Sequence, residues 1–309
     1  MFTFKKYTEQ DKYVWNEFVA NSKNGTFLID RDYMDYHSDR FEDHSLLIYK
    51  DSKLRAILPA CRQGNCFCSH KGLTYGGLLT DTSISASEVL SLFAELNEHL
   101  RSEGFSSVYY APTPWIYQKQ PSEEDLNALF KVCHATLIKR EISSTILLQK
   151  PLKWHRDRKY GINRCKNNSI TVQRSNRFEA FWKVLDNNLM HTHGVHPVHS
   201  IEEMTLLHER FPDNIILYTA EKDGEVLGGT VLYVTSQVVH AQYISASEKG
   251  KHLRVIDGIY NVILNEEFKS YPYFDFGKST EEGGTMLNTS LIYQKEGFGG
   301  RGVCYDTYE

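Results

Sequence analysis

Apolar and polar positions follow two rhythms along this chain, and the clearest stretch runs from Asn214 to Lys278. Ile215-Ile216-Leu217-Tyr218-Thr219-Ala220 is a short apolar run with the length of a buried strand. Glu221-Lys222-Asp223-Gly224 follows, with the Asp-Gly pair that a tight hairpin takes because its central residues need positive φ. Val226–Val234 and Val238–Ser245, parted by Thr235-Ser236-Gln237, are rich in β-branched and aromatic residues, so a three-strand meander is predicted. Beyond a polar loop, Ala246–His252, the residues Ile256, Ile259, Tyr260 and Ile263 recur at i, i+3, i+4 and i+7, which predicts a helix over Arg254–Lys269. A last strand, Tyr273–Phe276, ends at Gly277-Lys278-Ser279.

The first half repeats this order. A helix over Asp11–Ser22 (Val14, Trp15, Phe18, Val19) and a short one over Arg31–His37 come first. Leu46–Tyr49, the turn Lys50–Lys53 and Leu54–Cys61 form a hairpin, followed by the extended Gly72–Thr80. Val89, Leu92, Phe93, Leu96 and Leu100 then mark a helix over Glu88–Arg101, and Ser107–Tyr110 a strand. The separation of Tyr49 and Val108 is 59 residues, and that of Tyr218 and Phe274 is 56. Residue identity between the halves is slight, so the match is one of pattern. It predicts an α/β protein of two similar mixed-sheet domains, residues 1–150 and 151–309.

The joint between them is basic, with Lys153, His155, Arg156, Arg158, Lys159, Arg164 and Lys166 close together. A solvated linker helix accounts for it. So does a phosphate-facing segment, in which Arg156, Lys159 and Arg164 contact an anionic substrate. Thr171–Gln173 reads as a strand, and Phe178–Met190 as a helix through Phe181, Trp182, Leu185 and Leu189. His191, His193, His196 and His199 follow, but Gly194 and Pro197 break any helix there and no carboxylate lies among them. No zinc spacing is matched, so the segment reads as an ordered loop at a cleft mouth rather than a metal site, with His193 an acceptor-binding candidate. Ser200 and Glu203 form a capping box for a helix over Glu202–Arg210.

With 309 residues, 41% hydrophobic and 24% charged, the chain has the composition of a globular protein with a sizeable core. A formal charge of −4 gives no general reason to expect nucleic acid. Met1–Lys12 is too polar for a signal peptide, and no apolar run reaches transmembrane length, so a cytoplasmic location without membrane insertion is expected. The six cysteines, three of them spaced C-x4-C-x-C at Cys61, Cys66 and Cys68, fit reduced thiols.

A meander, a helix and a returning strand resemble the central unit of the GNAT acyltransferases. The tail Gln294-Lys295-Glu296-Gly297-Phe298-Gly299-Gly300 and the run Asp275-Phe276-Gly277-Lys278-Ser279 are similar to motifs of the FemAB-like, tandem-GNAT branch. Lys295, Phe298 and Gly299 match the Phe-Lys-x-x-Phe-Gly pattern of that branch, and Gln294 replaces its first Phe. The resemblance covers nearly the whole chain. It implies N-acyl transfer, with acetyl-CoA donating to an amino group of a sugar or nucleotide-sugar precursor of surface polysaccharide and no metal required. The alternatives are Fem-like transfer from aminoacyl-tRNA to a peptidoglycan precursor, and a non-catalytic module that keeps the fold. The donor's phosphates are expected at Ile244, Ser245, Lys249, Gly250, Lys251 and Arg254. This loop departs from the glycine-rich pattern of ordinary GNAT enzymes, so basic side chains would replace backbone N–H groups. The resemblance makes Lys295 a stabiliser of the reacting carbonyl or an anchor for an anion. His240, Glu281 and Glu282 are candidate bases, Tyr243 and Tyr293 candidate acids, and Asn288 a substrate contact. Strand alternation puts His240 with Gln242 on one face and Ala241 with Tyr243 on the other. Asp275 is expected to be structural or supporting.

Overall fold

Ser85 and Glu88 close a reciprocal cap at the start of the helix Ala86–Ser102, and behind it Val89, Leu92, Phe93, Leu96 and Leu100 lie buried on one face. That helix centres the first of two units in the computed structural model, which describes residues 1–309, the side chain of His193 excepted. Unit 1 comprises Met1–Glu141, Glu282–Met286 and Cys304–Glu309, and unit 2 comprises Ile142–Glu281 and Leu287–Val303. The last strand of the chain thus ends in unit 1, where Tyr308 pairs with Tyr110. Periodicity alone carries no mark of that return.

Unit 1 runs β1 (Phe2–Lys6), α1 (Lys12–Asn21), β2 (Leu46–Lys50), β3 (Lys53–Leu58), β4 (Cys61–Gln63), β5 (Cys66–Cys68), β6 (Leu79–Thr80), α2 (Ala86–Ser102), β7 (Ser107–Tyr109) and α3 (Glu124–Lys131). One sheet has the order β1-β2-β3-β6 and is antiparallel throughout. A second, smaller sheet includes β4, β5 and β7, with β5 and β7 parallel. Trp15 is fully buried and donates its indole N–H to the Ile29 carbonyl at 2.8 Å, which anchors α1.

Unit 2 takes up β8 (Leu137–Leu147) from Ile142 onward, α4 (Arg156–Asn167), β9 (Thr171–Ser175), α5 (Phe178–His193), α6 (Ile201–Arg210), β10 (Ile215–Lys222), β11 (Glu225–Val234) and β12 (Val238–Ala246). It continues with α7 (Glu248–Leu253), α8 (Val255–Val262), β13 (Tyr273–Lys278), α9 (Thr289–Glu296) and β14 (Arg301–Tyr308). The seven-stranded sheet has the order β9-β10-β11-β12-β13-β8-β14. β12 and β13 are parallel, and α7 and α8 connect them. The same device occurs in unit 1, where α2 connects the parallel β5 and β7. Among the described residues, no helix is long and apolar enough to cross a membrane.

The segment expected to be a loop, Ala246–His252, is mostly helical. Ser247 supplies the acceptor that a helix start needs, taking the Gly250 N–H at 3.1 Å, and α7 forms. Arg254, at φ 61°, separates it from α8. The apolar face of α8 then meets the sheet as its periodicity predicts. Ile259, Tyr260 and Ile263 are buried with Leu232, Ala241, Phe274 and Phe276 in one core. Each such side chain contributes about 1.5–3 kcal/mol by leaving water.

On its outer side α8 is crossed closely by α4. A Cβ on Gly161 would sit 1.9 Å from Asp257 Oδ2, and one on Gly258 would sit 2.4 Å from Cys165 Sγ, so both glycines are required by the approach. In the narrow seam Arg158 donates to Asp257 at 2.9 Å and Arg254 Nε donates to it at 2.6 Å. Asp257 is 2% exposed and Arg158 8%. A buried carboxylate shared by two guanidiniums is strongly coupled to the spacing of its helices. Gly161→Ala is expected to push the helices apart and cost about 3 kcal/mol, read as a lower urea midpoint. An effect below about 0.5 kcal/mol would mean that the seam opens freely.

Candidate active site

β12 and β13 pair at Val238↔Tyr273, Val239↔Phe274 and His240↔Asp275, and the pairing stops there. Gly277, at φ 77°, redirects β13 just beyond. In unit 1 the matching position is bridged by the chain itself. The Ser69 N–H reaches the Tyr109 carbonyl at 2.8 Å, and Ser69 Oγ accepts the Ala111 N–H at 2.7 Å. In unit 2 no pair joins β12 and β13 beyond His240 and Asp275 among the described residues.

The alternation expected along β12 is broken. Leu232 pairs with Ala241 but Val231 pairs with Tyr243, so Gln242 is an extra, bulged residue. Tyr233 and Val231 share a face of β11, and their partners His240 and Tyr243 therefore share it too. The expectation that these two side chains point to opposite faces is corrected by one inserted residue. Ala241 faces the α8 core, whereas Tyr243 meets Trp182 of α5 edge-on at 5.1 Å.

On the His240 face a polar row crosses the sheet. Asp275 is fully buried, and its Oδ2 lies 2.8 Å from His240 Nδ1. Its Oδ1 accepts from Ser143 at 2.5 Å and from Thr145 at 2.7 Å, both on β8. Burial alone would raise the Asp275 carboxyl, but the hydrogen bond and charge of His240, helped by the two hydroxyls, outweigh it and hold the group below its ordinary range. An ionised carboxylate only accepts, so the imidazole turns a protonated Nδ1 to it, and the tautomer that can act as a base has its lone pair on Nε2. The His240 side chain is 14% exposed.

Lys295, carried by α9, reaches the end of β13. Its ammonium donates to the carbonyls of Gly277 at 2.8 Å and Lys278 at 2.7 Å and to Ser279 Oγ at 2.9 Å. All three ammonium hydrogens are thereby engaged. Burial pushes the group down to about 8, and the charge of Asp275 opposes this. Along β12, the Tyr243 hydroxyl lies 2.6 Å from His199 Nδ1 and accepts the His199 N–H at 3.3 Å. Burial pushes that phenol up to about 12.

Other sequence-derived candidates lie apart from this row. Glu281 accepts from Asn288 Nδ2 at 2.6 Å, while Asn288 Oδ1 caps α9 by taking the Leu291 N–H at 2.9 Å. Glu282 is exposed, and Tyr293 is exposed beside His155. At α7, Lys249 pairs with Glu225 at 2.5 Å, Lys251 with Glu248 at 2.7 Å, and Arg254 with Asp257. Gly250 is buried under the Leu227 carbonyl, Ser245 is buried and Ile244 is partly exposed. Arg156 and Lys159 are exposed on α4, and Arg164 lies 2.6 Å from His252. Because α4 packs on α8, these residues are on the side of the sheet away from His240. The His193 side chain lies outside the described residues. His196 meets Asp186 at 2.6 Å, and no group of three metal-binding side chains occurs among the described residues.

Ser143, Thr145 and His199 are the partners that sequence reasoning missed. Ser143 and Thr145 fall in a strand that the periodicity does not mark. Asp275 left a trace, since a carboxylate between Phe274 and Phe276 needs polar partners if it is buried.

No protein-family model and no curated protein matches the sequence. Solved structures do match the fold. FemX aligns with a TM-score of 0.68 at 10% identity, covering 98% of this chain and 96% of its own. The C-terminal domain of a candidate lysylphosphatidylglycerol synthetase from Agrobacterium fabrum aligns with a TM-score of 0.61 at 12% identity, over 97% and 90% of the two chains. A tandem GNAT protein from the clavulanic acid biosynthesis pathway aligns with a TM-score of 0.50 at 9% identity, over 100% and 98%. The chain has a GNAT-like fold of the FemAB type.

The buried row makes a pH prediction. Asp275 titrates lower in the folded chain than in the unfolded one, so its stabilisation is present above about pH 4 and is lost as pH falls through the folded value. Asp275→Asn is expected to lower stability at pH 7 by about 2 kcal/mol and to flatten the decline below pH 4. Parallel urea titrations of the two proteins at pH 7, 4 and 3 check this, and a constant gap at all three would remove the carboxylate's role.

Proposed function

We propose that the protein is an N-acyltransferase in which an activated acyl group lies between β12 and β13 and His240 takes a proton from the attacking amine. The observation that carries this reading is the Asp275-held His240 at the last paired position of the two strands. A neutral amine is the nucleophile in acyl transfer, and the ammonium formed on attack has to lose a proton. Nε2 of His240 is the lone pair presented for it, and the fixed carboxylate stabilises the imidazolium that results. Collapse of the tetrahedral oxyanion then breaks the carbonyl–sulfur bond and releases the thiolate, which takes up a proton. Backbone N–H groups of β12 between Ala241 and Ser245, where pairing to β13 has ended, are the donors for the tetrahedral oxyanion. Lys295 supports this as a positioning residue. By tying down the carbonyls of Gly277 and Lys278 it holds the end of β13 away from β12.

Acetyl-CoA is the donor in this proposal, and an amino sugar or nucleotide-sugar the acceptor. The Lys249–Glu225 and Lys251–Glu248 pairs are exposed, so a diphosphate can take over their cations at small cost. A second reading, transfer of an aminoacyl group from tRNA, is favoured by a different observation. Glu248 occupies the first turn of α7, where a coenzyme A diphosphate would otherwise sit. The likeness to FemX and to a lysylphosphatidylglycerol synthetase supports the same alternative.

His240→Gln, whose amide can still donate to Asp275, is expected to lower kcat at least a hundredfold in a protein that stays folded with a modestly lower melting temperature, and Asp275→Asn to act on kcat in the same direction. Turnover by His240→Gln at the wild-type rate would remove the base from the proposal. The donor is tested by thermal shift. Acetyl-CoA at a hundred times its Kd should raise the melting temperature by several degrees, from about 2.7 kcal/mol of binding free energy. A shift with an aminoacylated RNA minihelix and none with acetyl-CoA would select the second reading.

A further inference from the structure

Unit 1, which has no opening between its parallel strands, carries a half-open pocket of about 220 Å³, apolar in its depth and bordered by Arg101 and Glu309. Its walls come from the inward face of α2, the end of α3 and strand β7. Phe67, Phe93, Leu96, Phe105 and Leu129 line it, and each is less than a tenth exposed. Protein interiors are packed nearly as densely as organic crystals, and voids larger than a water molecule are few. An apolar cavity of about 150 Å³ stays dry and admits benzene, so this one has room for a single-ring molecule. Small side chains keep it open: Ser107, Cys133 and Ala135 all lie on the wall.

One polar group on the wall is poorly used. Asn97, on the same α2 face as Phe93 and Leu96, has a thiol for its partner. Its Nδ2 lies 3.5 Å from Cys133 Sγ, and the thiol lies 3.8 Å from its Oδ1. Sulfur is a weak donor and a weak acceptor, so both ends of the amide are engaged below their capacity. A hydroxyl can give and take a hydrogen bond at once, which suits an amide carrying both functions. Burial raises the Cys133 thiol, which keeps it protonated and uncharged beside the cavity.

We infer that this cavity is a binding site for a small apolar molecule bearing one hydroxyl, of the size and chemistry of a phenol, with its ring among Phe67, Phe93, Leu96 and Phe105 and its hydroxyl on Asn97. The site is independent of the His240 row and does not rest on the acyl-transfer reading.

Phenol and toluene are the probes, with thermal shift and isothermal calorimetry on the full chain as readouts. Both are expected to raise the melting temperature at millimolar concentration, and phenol to bind more tightly. Asn97→Leu should weaken phenol about five- to tenfold and leave toluene unchanged or tighter. Ala135→Leu fills the space and should abolish both. Competition in the wild-type protein, with toluene displacing phenol at one site per chain, gives the same answer if that variant does not fold. No shift with either probe, or shifts that survive Ala135→Leu, would overturn the site. An equal loss of phenol and toluene in Asn97→Leu would overturn the role of the amide.

Discussion

A carboxylate with no solvent exposure has to find every one of its partners inside the protein, and Asp275 imposes that demand on unit 2. Ser143 and Thr145 reach it from β8 and His240 from β12, so three adjacent strands are registered by one side chain. A slip of β8 by one residue would turn both hydroxyls to the α8 core and leave the carboxylate bare. Structural and chemical demands coincide there. The interaction that satisfies Asp275 also orients the imidazole proposed as the base, which ties the register of the sheet to the placement of His240 Nε2.

The bulge at Gln242 is the second constraint, and it acts through parity. One extra residue between Ala241 and Tyr243 brings His240 and Tyr243 to the same face while Ala241 stays in the apolar core. His199 then fastens the histidine-rich segment to that face through the Tyr243 hydroxyl. On the other side of the sheet, the basic stretch that reads equally as a solvated linker or a phosphate-facing segment is divided by its own helix. Arg158 is drawn inward to Asp257, while Arg156 and Lys159 remain in solvent. Helical spacing selects the residue three positions before Gly161 for the seam, since Gly161 is where the backbones approach.

Two units of one pattern have diverged in what lies beyond their parallel strands. In unit 1, Ser69 and the residues after Tyr109 bridge the strands, and the free volume lies instead among the apolar side chains behind α2. In unit 2 the strands part at His240 and Asp275, and the polar row stands at that point. The buried ammonium of Lys295 belongs to the same arrangement. Three oxygen acceptors engage its hydrogens, and the charge of Asp275 opposes a burial that lowers it to about 8. Between that value and the ordinary lysine value, the unfolded chain holds the proton more firmly. The contribution of Lys295 therefore favours the folded state increasingly as pH rises through that window.

Sequence by itself determined much of the order of elements and one helix cap. Hydrophobic period and capping chemistry are local, so the apolar face of α2, the cap of α6 at Ser200 and Glu203, the meander β10 to β12 and the repeat of strand, helix and strand were all legible. His240, Asp275 and Lys295 were visible as residues of chemical interest, through strand position and motif. What only the tertiary structure decided was which of them meet. The partners of Asp275 come from β8 and β12, more than a hundred residues and some thirty-five residues away respectively, and no local pattern encodes such a pairing. The bulge at Gln242 is likewise unreadable in the chain, because it is a mismatch between two strands and not a property of either one. The return of the last strand to Tyr110 and the seam of Gly161 against Asp257 have the same cause. Each is a fit between surfaces far apart in sequence, and packing settles it after the local rules have been met.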